Sequence, residues 1–238
     1  MPTTARDIAY SDGDTPLAGL LVGDDDETAG PRPGILLVHG GGGLDAHARG
    51  QAERYAALGY DVFACDMYGP IPPGDGRRAM LMALRDNPDT LVRRAQAGLT
   101  VLADEGNVDG RFGAVGFCFG GMTVITLARA GVDLRGVVSM HGSFKTPRPA
   151  QTGAVKASVL ACHGAIDPHV PMSDVVAFVD EMQNAGADSQ INVYGDAMHG
   201  FTHADAAPGG MPGVAYHERT DRRSFAAATA FFSEAFAG

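Results

Sequence analysis

Three residues of this 238-residue chain, Cys118, Asp167 and His199, could together activate a thiol. A thiol attacks a carbonyl carbon as its thiolate, and an imidazole held in one tautomer by a carboxylate can remove the thiol proton. Asp167 follows Cys118 by 49 residues, and His199 follows Asp167 by 32. These residue types, in this order, predict a nucleophile, acid and base that form a thioacyl enzyme, with His199 then activating the water that hydrolyses it.

The segment around Cys118 predicts a sharp turn between a strand and a helix. Residues 116–121 read GFCFGG, which is the glycine-x-nucleophile-x-glycine pattern of such a turn. Glycines on both sides leave room for the turn, and the helix N-terminus that follows favours a thiolate. The backbone N–H of Phe119 is the first predicted oxyanion donor. Cys65 and Cys162 lie in or at the end of apolar strands, and we expect both to be core residues.

Asp167 and His199 each follow a predicted strand, where parallel sheets place their active sites. Asp167 lies in HGAIDP at 163–168, and an aspartate before proline also commonly starts a turn. His199 lies in AMHGF at 197–201, and a loop histidine can also be merely solvated. The position after a strand and the order along the chain favour the acid and base roles over these alternatives.

The second oxyanion donor and the substrate contacts are predicted from position. The run HGGGG at 39–43 follows a predicted strand, so its glycines could bring a backbone N–H close to an oxyanion, although a flexible loop is the alternative. Tyr68 and Phe201 lie near the predicted site and could line its cavity, although each could equally be a core residue. Arg85 suits a substrate carboxylate but could also be a solvated surface residue. The predicted oxyanion residues are Phe119, Gly40 and Gly41, and the predicted substrate contacts are Tyr68, Arg85, His141 and Phe201.

The elements that must position these residues alternate between short β-rich runs and helical patterns, which predicts a mostly parallel sheet flanked by helices. Strands are predicted at 34–39, 61–65, 111–117, 134–141, 156–163 and 190–194, after an antiparallel hairpin of 7–10 and 17–22. Helices are predicted at about 50–58, 88–104, 120–130, 172–185 and 219–236 by apolar periodicity. Together with the nucleophile turn, this predicts a single-domain α/β-hydrolase fold over residues 1–238.

Composition excludes several classes of function. Eighteen basic and 28 acidic residues give a formal charge of −10, which disfavours nucleic acid and anionic membranes as partners. The chain has no apolar run long enough for a membrane span and no leader-like N-terminus, so we expect a cytoplasmic protein. Its three cysteines are spaced for neither a disulfide framework nor a zinc site, and the chemistry above requires no metal or cofactor. The acidic run 24–27 is predicted to be a solvated loop.

Several motifs together resemble the dienelactone hydrolase family over nearly the whole chain. They are GFCFGG at 116–121, FACDMYG at 63–69, SMHGS at 139–143, HGAIDPHVP at 163–171, MHGF at 198–201 and TDRRSF at 220–225. The resemblance implies a compact α/β-hydrolase domain with about eight strands and no large lid. It also implies the triad Cys118, Asp167 and His199 and a small anionic lactone or related ester as substrate. The chain departs from the family pattern at Gly40, where well-studied members carry a glutamate that holds the resting thiol protonated. We therefore expect a thiolate paired with imidazolium, and a substrate other than dienelactone itself.

Three other functions remain alternatives at this point. The first is an inactive ligand-binding protein with the same fold, and the second is a redox-responsive thiol protein, for which no resolving cysteine lies near Cys118. The third is a metallohydrolase based on His199 and His203, which lack the glutamate and the helical setting of a zinc motif. A monomer and a homodimer are both compatible with the sequence.

Overall fold

The computed structural model describes residues 3–24, 30–207 and 209–238. Residues 25–27 of the predicted acidic loop lie outside the described residues. The chain forms two compact units, Met1–Ala114 and Val115–Gly238, and the division falls inside one strand. The assignment of residues 1–238 to one domain stays a prediction.

Eight strands and six helices are formed by the described residues. The strands are β1 (Thr3–Asp12), β2 (Thr15–Asp24), β3 (Arg32–Val38), β4 (Asp61–Cys65), β5 (Val108–Phe117), β6 (Gly136–Met140), β7 (Ser158–Gly164) and β8 (Ser189–Tyr194). The helices are α1 (Ala46–Ala56), α2 (Gly76–Arg85), α3 (Pro88–Glu105), α4 (Phe119–Arg129), α5 (Met172–Ala185) and α6 (Glu218–Ala237).

The strands follow the order β1-β2-β4-β3-β5-β6-β7-β8 in one eight-stranded sheet. β1 pairs antiparallel with β2, and β2 pairs antiparallel with β4, whereas β3–β4, β6–β7 and β7–β8 are parallel pairs. The mostly parallel α/β architecture and the edge hairpin are therefore confirmed. All eight strands and five of the helices agree with the sequence-based predictions to within a few residues.

Helix α2 is the element that the sequence analysis missed. It has ten residues and directly follows the loop GPIPPGD at 69–75, whose glycines and prolines are typical of a turn. Leu84 is its one buried residue. In the sequence-based predictions these residues belong to the connection before the next helix.

In the second unit, helix α4 packs closely against the end of strand β6. All eleven of its residues are buried. A Cβ at Gly121 would lie 2.7 Å from Ser139 Oγ and 2.8 Å from the Cα of Gly142. Only glycine therefore permits this approach between α4 and the end of β6, and the N-terminus of α4 is fixed behind Cys118.

The C-terminal end of α4 is fixed by a largely buried ion pair. The Arg129 guanidinium donates to both carboxylate oxygens of Glu181 on α5, at 2.8 and 2.7 Å, and to the Phe144 carbonyl at 2.7 Å. The guanidinium also lies over the Phe178 ring, 5.6 Å from its centroid. This bidentate pair joins α4, α5 and the segment after β6.

No helix among the described residues is both long and apolar enough to span a bilayer.

We expect Arg129→Met to lower the free energy of unfolding by about 3 kcal/mol, because it leaves the Glu181 carboxylate without its cation in a poorly hydrated site. Urea unfolding followed by circular dichroism measures this change. The double variant Arg129→Met/Glu181→Leu is the control, and it should recover most of the loss since neither charge is then left alone. A single variant as stable as wild type would contradict the assignment of Arg129 to this structural role.

Candidate active site

Cys118 occupies a strained turn between β5 and α4. Its φ of +53° lies in the left-handed region, which residues other than glycine rarely adopt. Its backbone N–H donates to the Met140 carbonyl at 2.9 Å, and its side chain is half-buried. A Cβ at Gly116 would overlap the Gly120 carbonyl oxygen, so the first glycine of the motif is required by close contact. The predicted nucleophile turn is therefore formed.

The three predicted triad side chains lie in one hydrogen-bonded row within the second unit. His199 Nε2 is 3.0 Å from Cys118 Sγ, and His199 Nδ1 is 2.8 Å from Asp167 Oδ2. The Asp167 side chain is fully buried, whereas 12% of the His199 side chain is exposed. This geometry lets the carboxylate fix the Nδ1–H tautomer and leaves Nε2 to share the thiol proton.

Asp167 is held by the turn that it starts. Its Oδ1 accepts from the backbone N–H groups of His169 at 2.8 Å and Val170 at 3.1 Å, so Oδ2 faces His199. Burial by itself raises the pKa of Asp167, but the hydrogen bond and positive charge of His199 and the two backbone donors lower it below its usual value. Asp167 therefore stabilises this turn with one carboxylate oxygen and contacts His199 with the other.

The electrostatic environment favours a protonated His199. Burial by itself lowers the pKa of His199, but hydrogen bonds to Asp167 and Cys118, together with the charges of both, outweigh burial and raise it to about 10. Because this pKa is raised on folding, the stability it contributes is fully present below the ordinary value of about 6.5 and is lost as the pH rises through about 10. An imidazolium beside the thiol favours the thiolate, and this resting ion pair stays a prediction.

His141 and Phe201 pack beside the catalytic imidazole and are fully buried. The His141 ring centroid lies 5.2 Å from that of His199 and 4.9 Å from that of Phe201, in edge-on contacts. His141 has a φ of +42°, and its Nε2 is 2.8 Å from Thr202 Oγ1. The buried rings support the loop that carries His199, and their role as substrate contacts stays a prediction. Sequence reasoning missed Thr202, which carries no signal beyond its place in that loop.

Gly40, Gly41, Tyr68 and Arg85 belong to the first unit. The buried His39 ring has Nδ1 2.7 Å from the Gly40 carbonyl, and its Nε2 accepts from the Met67 backbone N–H at 3.0 Å. The Tyr68 hydroxyl donates to the Gly41 carbonyl at 3.2 Å. These bonds fix the carbonyls of the glycine run rather than leave a flexible loop. Arg85 is exposed in the last turn of α2.

The other two cysteines are core residues, as predicted. Cys65 and Cys162 are buried, and burial raises the pKa of both thiols, that of Cys162 to about 12. Burial therefore disfavours a thiolate at both residues, and the nucleophile role of Cys118 stays a prediction. The described residues contain no group of three or more histidine, cysteine, aspartate or glutamate side chains placed to hold a metal ion.

Comparison with known proteins assigns the family. The model of the dienelactone hydrolase family matches residues 17–236. The chain belongs to the dienelactone hydrolase family. Its relatives include an uncharacterized Caenorhabditis elegans protein, 34% identical over 155 residues that cover 64% of this chain and 98% of that protein. An Escherichia coli protein with the provisional name carboxymethylenebutenolidase is 27% identical over 198 residues, 76% of this chain and 72% of its own.

Solved structures agree with this assignment to a dienelactone hydrolase fold. A dienelactone hydrolase-like promiscuous phosphotriesterase from metagenomic libraries is 36% identical, with a TM-score of 0.90 and 98% of each chain covered. The dienelactone hydrolase of Anabaena variabilis is 20% identical, with a TM-score of 0.67 and 98% of each chain covered, and it shows the shared fold. The predicted family resemblance is confirmed.

We expect iodoacetamide to alkylate Cys118 at a rate that changes little between about pH 6 and pH 9, because the protonated His199 stabilises the thiolate over that range. The rate is measured by mass spectrometry of the labelled protein. In His199→Gln the profile should instead rise with an apparent pKa near about 8.5, that of an ordinary cysteine. Cys118→Ala controls for labelling elsewhere, and a wild-type profile that itself rises near about 8.5 would contradict a resting ion pair.

Proposed function

We propose that this dienelactone hydrolase family member cleaves a small carboxylic ester or lactone through a thioacyl intermediate on Cys118. The row of contacts from Asp167 through His199 to the Cys118 sulfur carries the proposal. The raised pKa of His199 supports it, because an imidazolium beside the thiol favours the nucleophilic thiolate. Cys118 is half-buried, unlike the fully buried Cys65 and Cys162.

In the first step the thiolate attacks the carbonyl carbon, and a sulfur–carbon bond forms as the carbonyl becomes an oxyanion. The backbone N–H of Phe119, at the start of α4, is the proposed donor to this oxyanion. A further donor from Gly40 or Gly41 stays a prediction. When the intermediate collapses, the alkoxide leaves with the proton of His199 Nε2.

In the second step the now neutral His199 accepts a proton from water, which attacks the thioacyl carbon. Collapse releases the carboxylic acid and restores the thiolate and the imidazolium. Asp167 keeps the Nδ1–H tautomer through both steps, because its second oxygen is held by the backbone N–H groups of His169 and Val170. No cofactor takes part in this route.

The substrate is proposed to be small. The provisional name of the Escherichia coli relative refers to an unsaturated lactone, and the family resemblance implies the same class. Gly40 replaces the glutamate that controls the thiol in well-studied members, which supports a simpler ester or lactone over dienelactone. A cytoplasmic location and a monomeric or homodimeric state stay predictions.

We expect a chromogenic short-chain aryl ester to give a burst of about one equivalent of phenolate, because acylation of Cys118 releases the leaving group before water attacks. Stopped-flow absorbance measures the burst. Cys118→Ala should abolish it and lower the steady-state rate by at least about a thousandfold. The matched control is Cys162→Ala, the same substitution at a buried cysteine, and it should keep the burst. Equal slow rates in wild type and Cys118→Ala would refute the hydrolase and favour the inactive binding protein.

A second candidate activity is slow hydrolysis of phosphotriesters. The specific observation is the 36% identical structure described as a promiscuous phosphotriesterase, whose fold matches over 98% of both chains. The same thiolate could attack phosphorus, form a sulfur–phosphorus bond and expel an aryloxide, and water activated by His199 would then release the phosphodiester. This chemistry needs no group beyond those of the ester reaction.

We expect an aryl dialkyl phosphate to be hydrolysed at least about a hundredfold more slowly than the aryl ester, because the turn at Cys118 is built for a carbonyl oxyanion. The absorbance of the released aryloxide follows the reaction. The activity should disappear in Cys118→Ala and persist after dialysis against chelator. A rate that is the same in wild type and Cys118→Ala would exclude this second activity.

A further inference from the structure

His169 lies two residues after Asp167 and contacts Asp167, His199 and Pro212. Its backbone N–H donates to Asp167 Oδ1 at 2.8 Å. Its ring stands edge-on to the His199 ring, with centroids 5.4 Å apart and an interplanar angle of 77°. Its Nε2 is 2.9 Å from the Pro212 carbonyl, to which the ring N–H donates. One side chain thus joins three segments that are distant in sequence.

The third of these segments, residues 212–215, is here named the strap, and it holds the backbone of His199 from both sides. The His199 N–H donates to the Gly213 carbonyl at 3.1 Å, and the Ala215 N–H donates to the His199 carbonyl at 3.1 Å. His199 and Val214 accordingly form an isolated parallel bridge. The catalytic histidine, although it lies in a loop, has both backbone groups fixed as in a strand.

The strap also packs against the turn that carries Asp167. Gly213 has a φ of +76°, and a Cβ there would overlap the Pro168 ring and lie 3.0 Å from His169 Nε2. Only glycine satisfies both the backbone conformation and the contact. The contacts therefore close a cycle that runs from Asp167 through His169, the strap and His199 back to Asp167.

We propose that His169 is a positioning residue, which holds His199 between Asp167 and Cys118 by anchoring the strap and by packing against the catalytic ring. The inference rests on the proposed function of the triad. His199 must present Nε2 first to the sulfur and leaving group and then to water, while Nδ1 stays on Asp167. A displacement of about 1 Å in such a group can cost up to about a hundredfold in rate.

The test is a set of three variants at position 169. His169→Ala removes both side-chain contacts, His169→Gln keeps a donor for the Pro212 carbonyl, and His169→Phe keeps a ring against His199. We expect His169→Ala to lower kcat for the aryl ester about tenfold with KM within about twofold of wild type, since positioning acts on the bound transition state. We expect His169→Gln and His169→Phe each to have a kcat about threefold higher than that of His169→Ala, because each keeps one of the two contacts.

Alkylation of Cys118 by iodoacetamide provides a readout that does not depend on hydrolysis. In His169→Ala the labelling rate at pH 6.5 should fall at least about threefold, because a loosened imidazolium stabilises the thiolate less. His47→Ala, a histidine on α1 in the other unit, is the matched control and should change neither measurement. Thermal unfolding of each variant separates loss of fold from loss of position.

Three results would overturn the proposal. Unchanged kcat and unchanged labelling in His169→Ala would make His169 a surface residue without influence on the base. A raised KM with unchanged kcat would make it a substrate contact instead. The absence of an ester burst in wild type would mean that the proposed function itself fails; an unchanged labelling rate in His169→Ala would then overturn the positioning role as well, whereas a labelling rate that still falls at least about threefold would support that role.

Discussion

The site depends on one row of hydrogen bonds, from a buried carboxylate through an imidazole to a thiol. Its two links, 2.8 Å between Asp167 Oδ2 and His199 Nδ1 and 3.0 Å between His199 Nε2 and Cys118 Sγ, outweigh the burial that would otherwise keep the imidazole neutral. The row spans 81 residues of sequence. The strained turn at Cys118, the backbone donors to Asp167 and the partners of His199 all hold its three members at these distances.

Much of the fold and the triad could be predicted from sequence, because each rests on local signals. GFCFGG encodes its own turn through contacts between residues two to four apart, as the overlap of a Gly116 side chain with Gly120 shows. The buried parallel strands read as continuous apolar runs, so their positions were found to within a few residues. Helix α2, which directly follows a loop rich in glycine and proline and buries Leu84 alone, was missed.

The supports of the triad could not be predicted, because they are contacts between distant segments. The Thr202 hydroxyl contacts the His141 ring, 61 residues away in sequence, and the His169 ring contacts the Pro212 carbonyl, 43 residues away. His169 lies in the motif HGAIDPHVP, but that motif does not predict which carbonyl its ring contacts. His141 and Phe201 are fully buried beside His199, and their role as substrate contacts stays a prediction.

The strap also determines when the site can form during synthesis. Gly213 follows Cys118 by 95 residues, so the ribosome makes the nucleophile turn long before it makes the segment that fixes the backbone of His199. Until that segment has been synthesised, the backbone N–H and carbonyl of His199 both lack their hydrogen-bond partners. The complete set of contacts around His199 therefore cannot form before Ala215 has been added to the growing chain.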